Sequence, residues 1–246
     1  YAANGLGMVC CEYEEYDVAS EIFLRAKELG MTASEDINNN LANVHLIQGR
    51  VAEAEHLYQL NTKNGTKGSR TLKTGSIAYS SEMSACAQFK QKRHEDAVRT
   101  LLRGIHNEPV SRNNLLRFWY NIAHVRANKA HALILTKGVK TVRGVQEAIE
   151  EFDAARHLFT ILAAEEVPSQ HIHSVYNPSQ AKQLATHAEG WLSKCETELQ
   201  SVERTEQANR DERNRRNMDH QERVKKLEEE KASALAAIAE EKAAKE

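Results

Sequence analysis

Small and large apolar residues recur with one spacing along the first half of the chain. In each of three sets, a glycine or alanine is followed 12 residues later by an alanine, and a large apolar residue comes 4 residues after that. The three sets are Gly7, Ala19 and Phe23; Ala42, Ala54 and Tyr58; and Ala85, Ala97 and Leu101. Other apolar residues around them return every three or four positions, which predicts amphipathic helices.

This spacing predicts pairs of antiparallel helices that cross closely. Small residues let the two backbones approach, and the large residue fills the space against the next pair. Short breaks at residues 12–17 and 48–50 separate the helices of a pair, and Gly30 and Pro109 stand where second helices should end. Three sets in one phase are typical of tetratricopeptide repeats (TPRs). The alternative is an unrelated helical bundle with coincidental alanines.

A fourth, stretched repeat follows the first three. Residues 121–123 resemble the end of a first helix, and Ala155 with Phe159 resembles its partner, but the two small positions are 32 residues apart. No helix breaker occurs at 127–135, so we expect a long first helix and a loop at 136–144. The connection between the second and third repeats, residues 61–75, is also long.

The last third of the chain predicts one long helix. Residues 180–246 contain no proline, and apolar residues keep helical spacing up to Leu199, which should cover the end of the repeat stack. After Ser201 about half of the residues are charged, with mixed sign, which favours a solvated helix over disorder.

The predicted fold is an all-α TPR superhelix (an α-solenoid) followed by a long charged C-terminal helix. We expect the repeats at 1–167, a linker at 168–179, a capping part of the last helix at 180–200 and a charged helical arm at 201–246.

Composition narrows the possible functions. The 246 residues include 33 Lys and Arg and 35 Asp and Glu. The resulting net charge of -2 argues against direct nucleic-acid binding. No apolar run reaches the roughly 20 residues that a membrane helix needs, so we expect no membrane-spanning helix and no membrane partner. The four cysteines include no C-x-x-C pair, which favours free thiols. Because the first residue is Tyr1, we expect a piece of a longer polypeptide.

The sequence offers little catalytic chemistry. His171 and His173 form the best metal-like pair, but no Cys, Asp or Glu stands nearby with ligand spacing. The chain has no H-E-x-x-H, P-loop, G-x-G-x-x-G or nucleophile-elbow motif. We therefore predict a protein that is not an enzyme, with no catalytic residue, metal, cofactor or small-molecule substrate.

Two surfaces are candidates for binding other proteins. First helices of TPR pairs line the concave side, where amides can pair with a peptide backbone and aromatic rings can hold apolar side chains. The concave candidates are Tyr1, Asn4, Met8, Asn39, Asn43, Tyr79, Glu82, Phe89, Arg117, Tyr120 and His124. The candidates on the charged arm are Arg210, Arg213, Arg215, Arg216, Lys225 and Lys226.

The connection at 61–75 carries a smaller cluster of positive charge. Its basic residues are Lys63, Lys67, Arg70 and Lys73. A solvated loop is the simpler interpretation, and a small contact site for a phosphate or an acidic partner is the alternative.

Several segments together resemble a known scaffold family. Residues 1–7 (YAANGLG), 17–23, 40–45 (NLANVH), 100–102, 121–123 and 155–159 are similar, in order, to the TPR scaffold subunit of the RNA polymerase II-associated factor (PAF) complex. The long second connection, the stretched fourth repeat and the charged helical tail are similar too. The chain departs from the family at 129–146, which is longer and more basic than expected.

The resemblance implies a nuclear, non-enzymatic scaffold in transcription elongation. Such a protein would hold other PAF-complex subunits, engage RNA polymerase II and support histone modification on transcribed chromatin. The family's long C-terminal helix would reach the polymerase.

Two other functions remain as alternatives. A chaperone adaptor would hold a C-terminal carboxylate with a clamp of Lys, Asn and Arg, but the corresponding positions are Asn4, Met8, Asn40, Tyr79 and Met83. Only the asparagine of the second repeat matches that clamp. The other alternative is a regulatory TPR domain cut from a larger enzyme.

Overall fold

The computed structural model describes residues 2–30, 34–65, 76–106, 111–136, 138–165 and 176–243, and within these ranges all regular structure is helical. The helices are α1 (Ala2–Glu12), α2 (Tyr16–Glu28), α3 (Ser34–Ile47), α4 (Val51–Gly65), α5 (Ser76–Lys90), α6 (His94–His106), α7 (Arg112–Leu135), α8 (Val142–Ala164) and α9 (Pro178–Ala243). The prediction of an all-α fold is confirmed.

The helices pack in chain order and form a curved stack. Each helix contacts the next one, and α1, α3, α5, α7 and α9 also contact one another in sequence. The even-numbered helices make no such contacts among the described residues. Because alternate helices approach each other on the odd-numbered side alone, that side is the concave face.

The residues that define the repeat are buried at the helix crossings. Ala19, Phe23, Ala54, Tyr58 and Ala97 are all fully buried. A Cβ atom added to Gly7 would lie 2.4 Å from Cε1 of Phe23, so only glycine lets α1 approach α2 this closely. The spacing found in the sequence therefore corresponds to the packing.

Positive backbone angles mark two of the predicted breaks. Gly30 follows α2 with φ +66°, and its N–H donates to the carbonyl of Lys27 at 3.1 Å, as a helix C-terminal cap does. Gly49 has φ +77° in the turn between α3 and α4. Both positions were predicted to end helices. Pro109 lies outside the described residues.

The fourth pair is longer than the others, as predicted. Helices α7 and α8 have 24 and 23 residues, against 11 to 15 in α1 to α6. The loop between them is shorter than predicted, because Thr141 caps α8 by accepting a hydrogen bond from the Gly144 N–H at 3.1 Å. The predicted start of the 61–75 connection is wrong, since α4 continues to Gly65.

Helix α9 has an anchored part and a free part. Its beginning packs on α8, where Ala181, Ala188 and Cys195 are buried and the Trp191 ring stacks on Phe152 with centroids 5.9 Å apart. The last contact with the repeats comes from Glu206, whose carboxylate accepts a hydrogen bond from the backbone N–H of Val142. Side chains 207–233 are all exposed. The long charged C-terminal helix is confirmed, whereas the predicted domain boundaries stay a prediction.

No helix in the described part of the chain combines the length and apolar character that crossing a bilayer requires.

Candidate functional site

Polar side chains link successive odd-numbered helices along the concave face. Asn40 on α3 donates its amide N–H to Asn4 on α1 at 2.9 Å, and the Tyr79 hydroxyl on α5 donates to Asn43 on α3 at 2.9 Å. Tyr58 also donates to the Asn43 amide oxygen, at 2.5 Å. The structure therefore places Asn4, Asn43 and Tyr79 in one row across α1, α3 and α5, and the side-chain oxygens of both asparagines already accept hydrogen bonds.

The row continues at Glu82, which connects α5 to α7. Asn121 donates to one carboxylate oxygen at 2.7 Å, and the Arg117 guanidinium pairs with the other at 2.7 Å. Burial raises the pKa of the Glu82 carboxyl, and the charge of Arg117 and the hydrogen bond from Asn121 oppose that rise. Glu82 and Arg117 are thus partners of each other before any ligand arrives.

Aromatic rings gather at the far end of the row. The Tyr120 ring stacks on Tyr176 with centroids 5.6 Å apart and meets His124 edge-on at 4.6 Å. The Tyr176 hydroxyl donates to the carbonyl of Leu162 at 2.9 Å, which fixes its ring just before α9. Burial lowers the pKa of His124, so the neutral ring is favoured.

A cavity of about 310 Å³ opens between α5 and α7 beside this row. Its lining is mostly apolar, with polar groups among it: Glu82, Met83, Ala85, Cys86, Phe89, Leu101, Asn121, His124, Val125 and Asn128. We call it the α5–α7 cavity. Burial raises the pKa of the Cys86 thiol, which favours the neutral, less nucleophilic form. The cavity is suited to bind an apolar side chain.

Asn39 lies elsewhere, in the core between α3, α4 and α5. Its side-chain oxygen accepts hydrogen bonds from Asn61 at 2.8 Å and from Ser80 at 2.9 Å. Asn61 also donates to the backbone carbonyl of Glu35 and accepts from Asn38, both at 3.0 Å. Asn39 is buried by these contacts, so little of it is open to a partner.

The remaining concave candidates have different surroundings. Met8 is half exposed on α1, and its sulfur lies 3.9 Å from the Asn4 amide nitrogen. Phe89 lines the α5–α7 cavity and tilts against His94, with ring centroids 5.6 Å apart. Tyr1 lies outside the described residues.

The candidate histidine pair, His171 and His173, also lies outside the described residues. Among those that are described, no three His, Cys, Asp or Glu side chains come together as metal ligands.

The candidate cations of the arm project into solvent from α9. Three of them pair with acids one turn earlier: Arg210 with Glu206 at 3.8 Å, Arg216 with Glu212, and Lys226 with Glu222 at 3.1 Å. Arg213, Arg215 and Lys225 form no ion pair with another described residue. Such exposed pairs contribute only about 0.3–0.5 kcal/mol each, so they leave the arm available for other contacts.

Sequence reasoning missed Tyr176, Cys86 and the cavity itself. Tyr176 falls in a segment predicted to be a linker, and no periodicity marks it. Cys86 stands next to Ala85, a repeat position, but the facing wall of the cavity comes from α7. A spacing rule within one helix cannot predict the space between two.

Comparison with known proteins places these features in context. No protein-family model matches the chain. The chain is similar to the Arabidopsis thaliana protein named Protein CTR9 homolog, with 26% identity over 193 residues, which is 77% of this chain and 16% of that protein. The chain therefore spans well under two thirds of that relative.

Two solved structures share the fold. Both are crystal structures of nearly identical TPR-like repeats from a putative kinesin light chain of Podosopora anserina. One of the two is a variant form. The first matches with a TM-score of 0.52 and 21% identity over 85% of this chain and 94% of its own. The variant form matches with a TM-score of 0.50 and 18% identity over 84% and 95%. The TPR superhelix predicted from the sequence is confirmed, and it is a fold suited to a protein-interaction scaffold.

Proposed function

We propose that the chain is a non-enzymatic interaction scaffold of the PAF complex, and that its concave face binds an extended segment of another subunit. In this role it would act in the nucleus, during transcription elongation by RNA polymerase II, and support the associated histone modification. The similarity to the CTR9 homolog, a PAF-complex subunit, supports this assignment. The segments that resemble the PAF scaffold family lie within the repeats.

The observation that carries the proposal is the α5–α7 cavity. Its volume of about 310 Å³ is roughly twice that of an engineered apolar cavity that holds benzene. One large apolar side chain of a partner fits there. Asn121 and Asn128 both lie at the cavity, where each donates one amide N–H within the chain, to Glu82 and to the His124 carbonyl. The rest of each amide group can hydrogen-bond to a peptide backbone.

The second part of the proposal concerns the charged arm. The exposed cations of α9 would contact the polymerase surface through polar interactions, which salt screens because they are open to water. The anchored part of the helix would fix where the arm leaves the repeats.

A matched pair of variants tests the concave site. Asn128 and Asn113 are both exposed asparagines on α7, but only Asn128 lines the cavity. Asn128→Trp should cover the cavity and reduce capture of PAF-complex subunits from nuclear extract about tenfold, which corresponds to about 1.4 kcal/mol. Asn113→Trp should leave capture unchanged. The amounts are compared by quantitative mass spectrometry.

Equal capture by both variants would remove the cavity from the proposal. Recovery of heat-shock chaperones without elongation factors would favour the chaperone-adaptor alternative.

A further inference from the structure

A second cavity, of about 500 Å³, lies on the other side of the repeats. It runs between α4 and α6, and α5 forms its floor. The floor residues Ser81 and Ser84 lie on the opposite side of α5 from Glu82 and Cys86, since a helix turns about 100° per residue. We call it the α4–α6 groove, defined by Thr62, Lys63, Ser81, Ser84, Arg99 and Arg103.

Basic side chains outnumber acidic ones in the lining of the α4–α6 groove. Lys63, Arg93, Arg99 and Arg103 line it, and Asp96 is the only carboxylate that the described residues contribute to its lining. Arg93 and Arg99 both pair with Asp96, at 3.4 and 3.0 Å, and Arg93 also pairs with Glu55. Arg103 forms no ion pair with any described residue. Arg103 thus gives the groove a positive charge that no described acid pairs with.

The floor of the groove offers an unused hydroxyl. Ser84 is 1% exposed, and its Oγ atom has no hydrogen-bond partner among the described residues. Gln88 beside it is occupied, because it donates to Glu55 and accepts from Thr100. A buried hydroxyl without a partner is costly, so an acceptor that enters the groove would gain a hydrogen bond from Ser84.

The spacing of the cations shows what shape of anion they suit. Arg99 and Arg103 are one turn apart, about 6 Å along the helix axis. Side chains on one face of an extended peptide are about 6.6 Å apart, because each residue advances about 3.3 Å. The row from Arg93, which directly precedes α6, to Arg103 covers about 15 Å, so it does not converge on a single point as a phosphate site would.

We propose that the α4–α6 groove binds an extended acidic segment of a partner protein, with carboxylates at alternate positions that pair with Arg99 and Arg103. This site is separate from the concave face. It would let the scaffold hold two segments at once.

The test uses the whole chain and a fluorescein-labelled peptide of alternating glutamate and serine. A length of about ten residues covers the row. Fluorescence anisotropy should show binding that salt weakens. Replacing both Arg99 and Arg103 with glutamine should weaken binding at least about tenfold, because two charge-assisted contacts are lost. The matched control, Arg25→Gln with Lys27→Gln, removes two exposed charges from α2 and should leave binding unchanged.

Hydrogen exchange provides a readout that does not depend on the variants folding well. The peptide should slow exchange of the α6 amides and leave those of α7 unchanged. Equal weakening by the control pair, or exchange in α6 that the peptide does not alter, would overturn the proposal. A second peptide would carry one phosphoserine within a glycine and serine sequence. If this peptide binds and the glutamate peptide does not, the proposal is also overturned.

Discussion

Leu101→Ala should lower the free energy of unfolding by about 2–5 kcal/mol, whereas Leu102→Ala should change it by only about 0.5 kcal/mol. The two leucines are neighbours on α6, yet Leu101 is 1% exposed and Leu102 is 50% exposed. Leu101 packs among Ala85, Ala97 and Phe118, and its loss would leave a cavity there. Urea unfolding followed by circular dichroism gives both values.

This pair is informative because the chemical change is the same at both sites. Only the repeat position differs, since Leu101 is the large residue of the third set. Similar losses for the two variants would contradict the assignment of Leu101 to the core between repeats.

Shortening α9 should separate its two parts. A chain that ends at residue 206 keeps every contact between α9 and the repeats, so its unfolding midpoint should match that of the whole chain. A chain that ends at residue 177 loses the covering of α8 by Trp191, Leu192 and Leu199. It should lose about 3 kcal/mol or more, since full burial of a large apolar side chain contributes about 1.5–3 kcal/mol and these three side chains are partly buried.

The same shortened chains test the arm. The chain that ends at residue 206 should still capture PAF-complex subunits but should recover much less RNA polymerase II. If polymerase recovery is unchanged, the arm is not the contact. If the chain that ends at 177 is as stable as the whole chain, α9 does not cap the stack.

The helix pairs could be predicted because their cause lies in local spacing. A crossing needs a small residue at each closest approach, and Gly7, Ala54 and Ala97 stand at those points. The free part of α9 was predictable for the opposite reason: its sequence has too few apolar residues to pack. Each of these two features depends on the residues of a single helix or a single helix pair, so it can be found from local sequence.

The concave face was predictable only in part. Counting along each first helix put Asn4, Tyr79 and Glu82 on the concave face, but the same counting selected Asn39. The partners of Asn39 are Asn61 and Ser80, on the two following helices, and no pattern within α3 shows those contacts. Helix α4 continues past Asn61 because this buried network holds its end.

The basic residues that line the α4–α6 groove lie in separate segments of the sequence. The basic residues of segment 61–75 were recognised as a cluster, but Arg99 and Arg103 belong to another helix, and no sequence pattern links them to that segment. Helices α4 and α6 both pack on α5, and this arrangement brings Lys63 into the lining of the same groove as these arginines. Electrostatic patches of this kind depend on which helices are neighbours.

The most direct measurement is photo-crosslinking from the α5–α7 cavity. The whole chain would carry a diazirine analogue of leucine in place of Asn128, which is close to asparagine in size and so leaves the cavity open, with the same substitution at Asn113 as the control, and both would be irradiated in nuclear extract. We expect the residue at position 128 to crosslink to a PAF-complex subunit and the residue at position 113 to form no such crosslink. Crosslinks from position 128 to heat-shock chaperones alone, or to no protein, would contradict it.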